Sequence, residues 1–260
     1  MSQAAAEYFN EYLLKAVEIV HRNWACKGYA SAAYTHGMTL GDIKFNPSKP
    51  PYTMCVAAQM ELIVTALGFY MDDTGDKTAA TFLPSKQWTS LSPGTFKDLI
   101  WVNSGSRGTA DALERFGMGV IRPFKDLIPG CFINLNRTNK SGHAVLFLGF
   151  LDRHGETLDS YSSEVAGFKY YSSQGKLVGG GFDYRYAFFD DTCPTLESSR
   201  RRDCGVIRSE KQNHLNTGYM FSPTKWDAKK RDQALSALHN LSQKENEANP
   251  LYLNQDTTDD

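Results

Sequence analysis

Residues 108–151 read GTADALERFGMGVIRPFKDLIPGCFINLNRTNKSGHAVLFLGFL, and this stretch decides the fold class. Its first part, GTADALERFG, reads as a helix closed by Gly117, because glycine ends a helix without a Cβ penalty. CFINL and HAVLFLGFL then read as strands, as short apolar runs bounded by turn residues do. Further on, GFKYYSS reads as a third strand, and DYRYAFF, which alternates polar and aromatic residues in part, as a fourth. Helices early in the chain and antiparallel strands later are the pattern of an α+β fold.

Outward from this stretch, residues 5–24 read as an amphipathic helix. Phe9, Tyr12, Leu13, Ala16, Ile19 and Val20 recur at three- and four-residue steps on one face. Residues 27–52, rich in Gly, Pro, Ser and Thr, read as loop, and Pro50 and Pro51 end it just before a second helix. That helix opens at Cys55 in PPYTMCVAAQMELIVTALGF and is expected to run to about Leu67, with Gly68 as its C-cap. Residues 71–107 hold turn residues and short apolar pieces, and residues 205–226 hold two candidate edge strands, GVI and GYMF. A last helix is expected over 227–241, before a polar tail, NQDTTDD, expected to be disordered. The expected organisation is one domain over 1–250 and a tail over 251–260.

Composition narrows the function classes. Apolar residues make up 41% of the 260 and aromatics 12%, enough for a sizeable core, and a net charge of -1 carries no footprint for nucleic acid. The run Arg200, Arg201, Arg202 reads as a solvated loop. No run reaches the ~18 consecutive apolar residues of a membrane span. The N-terminus lacks the basic start of a signal peptide, and Glu7, Glu11, Lys15 and Glu18 interrupt its apolar positions. The expectation is a protein made in the cytoplasm that would leave it by some route other than general secretion. Of the five cysteines, Cys26, Cys55, Cys131, Cys193 and Cys204, none forms a C-x-x-C pair, so a zinc site is not expected. Cys193 and Cys204 bracket the polar loop CPTLESSRRRDC and read either as a disulfide or as two free thiols.

The chemistry-bearing candidates are Cys55 at a helix start and His143 at the start of the strand HAVLFLGFL. A thiolate is a strong nucleophile at neutral pH when a helix N-terminus and a neighbouring histidine lower its pKa. In such a site a third polar group fixes the imidazole tautomer. Gln174, after GFKYYSS, is the first choice because its carbonyl can accept the distal imidazole proton; Ser172, Ser173 and Asp159 are alternatives.

Over about residues 50–190 the chain resembles the NlpC-type and related papain-like amidases that cut bacterial cell-wall peptides. The matching features are Leu127, Pro129 and Gly130 as a Leu-x-Pro-Gly turn, the strand FINL, the Gly142–His143 pair, and an apolar strand carrying Gly149. The chain departs from those proteins at the nucleophile. It has Met54, Cys55, Val56 and Ala57 where Asp-Cys-Ser-Gly is common, Cys131 where Asp often follows the turn, and no glutamine in NPSKPPYTM. The resemblance implies a papain-like fold with N-terminal helices on an antiparallel sheet. It also implies a cysteine amidase or endopeptidase using Cys55, His143 and Gln174, with backbone N–H groups as oxyanion hole and no metal or organic cofactor. Its implied substrate is a peptidoglycan stem peptide. Its implied settings are a type VI secretion effector, a toxin matched by a cognate immunity protein and acting in the periplasm of a target bacterium, or a phage lysis enzyme. The alternatives are a papain-like protease, thioesterase or acyltransferase acting on a non-wall substrate, and a non-catalytic binding module.

Overall fold

The first helix, α1 (Asn10–Asn23), presents Leu13, Ala16, Val17 and Val20 to the interior, as its three- and four-residue spacing requires. The computed structural model describes residues 8–30, 33–174, 181–194, 196 and 202–237. The expected helix residues 5–7 and 238–241 and the expected tail lie outside the described residues.

The segment 27–52, expected as loop, contributes β1 (Gly28–Tyr29), β2 (Met38–Leu40), β3 (Ile43–Phe45) and the start of β4 (Tyr52–Thr53). β1 pairs with β4 and β2 with β3. Strands this short carry too few residues for a period to register. Then comes α2 (Cys55–Thr74), which runs through Gly68. A Cβ at Gly68 would meet nothing within 4 Å, so nothing requires glycine there, whereas Gly75 takes the left-handed conformation (φ 72°) and caps the helix. By length and mean hydropathy α2 could cross a membrane, but 72% of its most apolar window is buried inside the fold.

Residues 71–107 include three short helices, α3 (Thr78–Thr81), α4 (Ser85–Thr89) and α5 (Phe96–Ile100), followed by α6 (Thr109–Arg115). The remaining strands are β5 (Gly119–Ile121), β6 (Phe132–Asn136), β7 (Gly142–Leu151), β8 (Thr157–Leu158), β9 (Gly167–Gln174), β10 (Gly181–Phe188), β11 (Arg202–Asp203) and β12 (Leu215–Met220). The last helix is α7 (Ala228–Ala237). The main sheet has the order β11-β10-β9-β7-β6-β12-β5, with β8 on β7, and only the β10–β11 pair in it is parallel. GYMF falls largely in β12, whereas GVI at 205–207 supplies one isolated bridge, Arg137 to Val206. Helices together with a largely antiparallel sheet make the chain α+β.

Successive side chains of a strand point to opposite faces, and here each face has its own core. Ala144, Leu146 and Tyr171 join the cluster built on α1, α2, α5 and α6. Val145, Phe147, Phe168 and Tyr170 join a second cluster with Phe124, Val165, Val206 and Leu215, packed beneath turns and loops.

Candidate active site

Cys55 is the first residue of α2, behind the extended residue Met54, and is 5% exposed. The positive end of the helix dipole favours negative charge there. The Tyr29 hydroxyl lies 3.6 Å from the Cys55 sulfur and donates to it. Nearby, the Cys26 thiol donates to the Gly28 carbonyl (3.0 Å) and lies 3.9 Å from Ser173 Oγ. A Cβ at Gly181 would come within 3.0 Å of Cys26 Cβ. Gly181 pairs with Gln174, so this group of residues sits at the end of the sheet where β9 stops and β10 begins.

His143 belongs to the same end of the sheet. The amide nitrogen of Gln59, one turn into α2, lies 3.4 Å from the Cys55 carbonyl and 3.2 Å from the Ala144 carbonyl. Ser172 Oγ donates to that same Ala144 carbonyl at 2.7 Å. One buried side chain therefore ties the start of α2 to the start of β7.

The side chains divide differently. His143 pairs with Leu135 across β6–β7, and Leu135 and Val145 both lie in the second core. The His143 ring meets the Tyr170 ring edge-on, with centroids 5.7 Å apart. The imidazole thus belongs to the face opposite α2, whereas Cys55 belongs to the α2 face. Continuing the β7–β9 register from Leu146↔Tyr171 sets His143 opposite Gln174, on one face. Gln174 is the last residue of β9.

Around His143 lies a chain of buried polar groups. The Gln174 amide donates to Tyr170 Oη (2.6 Å), and Tyr170 donates to Asp203 Oδ2 (2.7 Å). Arg137 donates to Asp203 Oδ1 (3.0 Å) and to Ser141 Oγ (2.7 Å). Arg185, opposite Tyr170 in the β9–β10 register, is 1% exposed and donates to the Gly181 carbonyl. Burial pushes the Asp203 carboxyl up, but Arg137, His143 and the Tyr170 hydroxyl together outweigh it and hold the acid ionised below the usual carboxylate range. Burial and the neighbouring Asp203 raise Tyr170 well above the ordinary phenol value, so it keeps the proton it donates. The Gln174 carbonyl oxygen is buried and has no hydrogen-bond partner among the described residues.

The other candidates sit elsewhere. Cys131 lies in the second core, and burial pushes its thiol up to about 12, which leaves it un-ionised at neutral pH. Cys193 and Cys204 are joined as a disulfide. Asp159 lies by β8, near Lys125 and Tyr161 on the wall of a surface cavity. Arg200 and Arg201 lie outside the described residues, and Arg202 opens β11. Tyr170, Asp203, Arg137 and Gln59 have no counterpart in the reading of the sequence. Asp203 was hidden by its neighbours: in CPTLESSRRRDC a buried acid looks like one more solvated charge. Among the described residues no group of three or more His, Cys, Asp and Glu side chains is arranged to hold a metal ion. Comparison with protein-family models, with curated proteins and with solved structures finds no match.

Proposed function

We propose that the chain is a cysteine hydrolase of papain-like architecture that cleaves an amide bond, with peptidoglycan stem peptides as its substrate class. The observation that carries this reading is the Gln59 amide, shared between the carbonyls of Cys55 and Ala144. It ties the start of the helix that begins with the thiol to the start of the strand that begins Gly142–His143, so both groups stand at one end of the sheet. In this reading the imidazole turns from the Tyr170 ring to reach the sulfur around the end of β7. His143 takes the thiol proton, and the thiolate attacks the amide carbonyl. Backbone N–H groups at the start of α2 hold the oxyanion, His143 protonates the leaving amine, and water hydrolyses the thioester. Gln174, opposite His143 in the register, has its carbonyl oxygen without another partner among the described residues and would accept the distal N–H when the ring turns to it.

The substrate class, an antibacterial role with a cognate immunity protein, delivery to a target periplasm, and the phage-lysis alternative follow from the resemblance of the 50–190 segment. Digestion of purified peptidoglycan by the full chain, with mass analysis of the fragments, tests the reading. Cleaved stem peptides from the wild type and none from Cys55→Ala are the expected pair of results. Intact peptidoglycan from both would remove the wall substrate.

A second reading is favoured by one observation: the thiol and imidazole side chains lie on opposite faces, 5% and 1% exposed. On that reading Cys55 and His143 are core residues of a binding module. Cys55→Ala would then leave binding and its effects unchanged.

A further inference from the structure

The buried acid beside His143 stands on a strand of two residues. β11 runs parallel to β10, with Ala187 opposite Asp203, at the edge of the sheet. The next residue, Cys204, is bonded to Cys193, which follows the end of β10. The disulfide therefore ties the backbone that carries Asp203 to the strand it pairs with. From there Asp203 accepts from Arg137 and Tyr170, and the Tyr170 ring touches His143.

We infer that the Cys193–Cys204 disulfide is a redox switch on the candidate site, working through Asp203 as the positioning residue for His143. This rests on the reading of His143 as the base. A dithiol reductant opens the bond: the two cysteines become thiols, and the dithiol is oxidised to its own cyclic disulfide. β11 then loses its covalent tie, and Asp203 leaves Arg137, Tyr170 and the neighbourhood of the imidazole. The Tyr170 ring of β9 meets the imidazole and Gln174 stands opposite it in the register, while Arg137 from the β6–β7 turn and Arg185 from β10 belong to the same buried network, on Asp203 and on the Gly181 carbonyl. Cys55 lies at the same end of the sheet, on the opposite face. Asp203 is a carboxylate that interacts electrostatically with His143, so its departure removes a negative charge from the ring's surroundings and disfavours the charged ring. The chain would be idle in a reducing compartment and competent in an oxidising one. A cysteine hydrolase without such a switch keeps or gains activity in dithiol, because its nucleophile must be reduced.

The test uses the full chain with isotope-labelled histidine, oxidised and after dithiothreitol, and follows each imidazole through a pH titration by NMR. His143→Ala assigns the resonance. The expected result is that the His143 midpoint falls by about one unit on reduction. It should start low in Asp203→Asn and not move there, and it should be restored in Asp203→Glu. A Cys193→Ser/Cys204→Ser double variant should match the reduced wild type. The resonance of His36, which is buried against Glu61 and stacks on Trp24, must stay unchanged. If His36 collapses too, the disulfide merely holds the whole fold and the inference is overturned. A His143 midpoint that is the same in both redox states overturns it as well. Peptidoglycan digestion in parallel separates the two readings. A moving midpoint without hydrolysis in either state keeps the switch and removes the hydrolase. Hydrolysis that persists in dithiol with a fixed midpoint keeps the hydrolase and removes the switch.

Discussion

On the α2 face, Cys55 belongs to the apolar core, where the Tyr29 hydroxyl donates to its sulfur and the Gln59 amide to its carbonyl. On the opposite face, His143 stands in a continuous polar chain of Gln174, Tyr170, Asp203 and Arg137. The first face is ordinary hydrophobic packing interrupted at one point. The second buries charge, which is costly unless every charge is paired and hydrogen-bonded. The contrast teaches that the thiol and the imidazole are held by independent machinery. A change among the side chains on one face should leave the other intact, and the Gln59 amide is the tie between the two elements.

The comparison can be broken most decisively at Cys55. Cys55→Ala should abolish peptidoglycan hydrolysis while the thermal unfolding midpoint stays within a few degrees of wild type, since one sulfur is lost from a packed site. Full activity in this variant would end the hydrolase reading. His143→Ala should lower the rate on the order of 10² or more, because the general base and the general acid go together. An activity profile that instead required His21 or His36 would move the site to the helical face.

Arg137→Met addresses the opposite face alone. It strands the Asp203 carboxylate in the interior and should cost about 3–5 kcal/mol in urea unfolding. A loss under about 1 kcal/mol, the scale of an exposed pair, would mean that water reaches the network. The pH dependence follows from the depressed Asp203 acid. A carboxyl whose folded pKa lies below its unfolded value of about 3.9 contributes full stability above that pH and loses it as pH falls through the folded pKa. Acid unfolding of the wild type should therefore be steeper below about pH 4 than that of Asp203→Asn. Parallel curves would show that Asp203 is not part of the balance. The smallest effect is expected from Gln174→Ala. It removes one neutral hydrogen bond to Tyr170 and a support for the ring, about 1 kcal/mol or roughly a five- to tenfold loss of rate. A loss as large as that of His143→Ala would make Gln174 more than a support.

Much of the scaffold was legible from local pattern. The amphipathic spacing of α1, the proline pair ahead of Cys55 and the apolar run after His143 each announce an element within a few residues. β9 beside β7 was legible too, because strands adjacent in sequence tend to pair. The end of α2 was misplaced at Gly68, since a glycine is tolerated inside a helix whose neighbours pack well. The strands of two or three residues were invisible, and so was the role of Asp203.

The sequence alone determined where the longer helices and strands begin, that the fold is α+β, that Cys55 opens a helix and that His143 stands at the start of a strand. These are local facts, set by spacing, caps and turn residues within one or two turns of chain. Only the tertiary structure decided which face each side chain occupies and which distant residues gather there. Strand alternation reverses with a one-residue change of register, so the partner of His143 depends on how β7 aligns with β6 and β9. The charge beside it depends on where a disulfide ties an edge strand. A buried carboxylate and a solvated one are the same letter in a sequence, and the difference between them is the Arg137 guanidinium and the Tyr170 hydroxyl that folding brings to it.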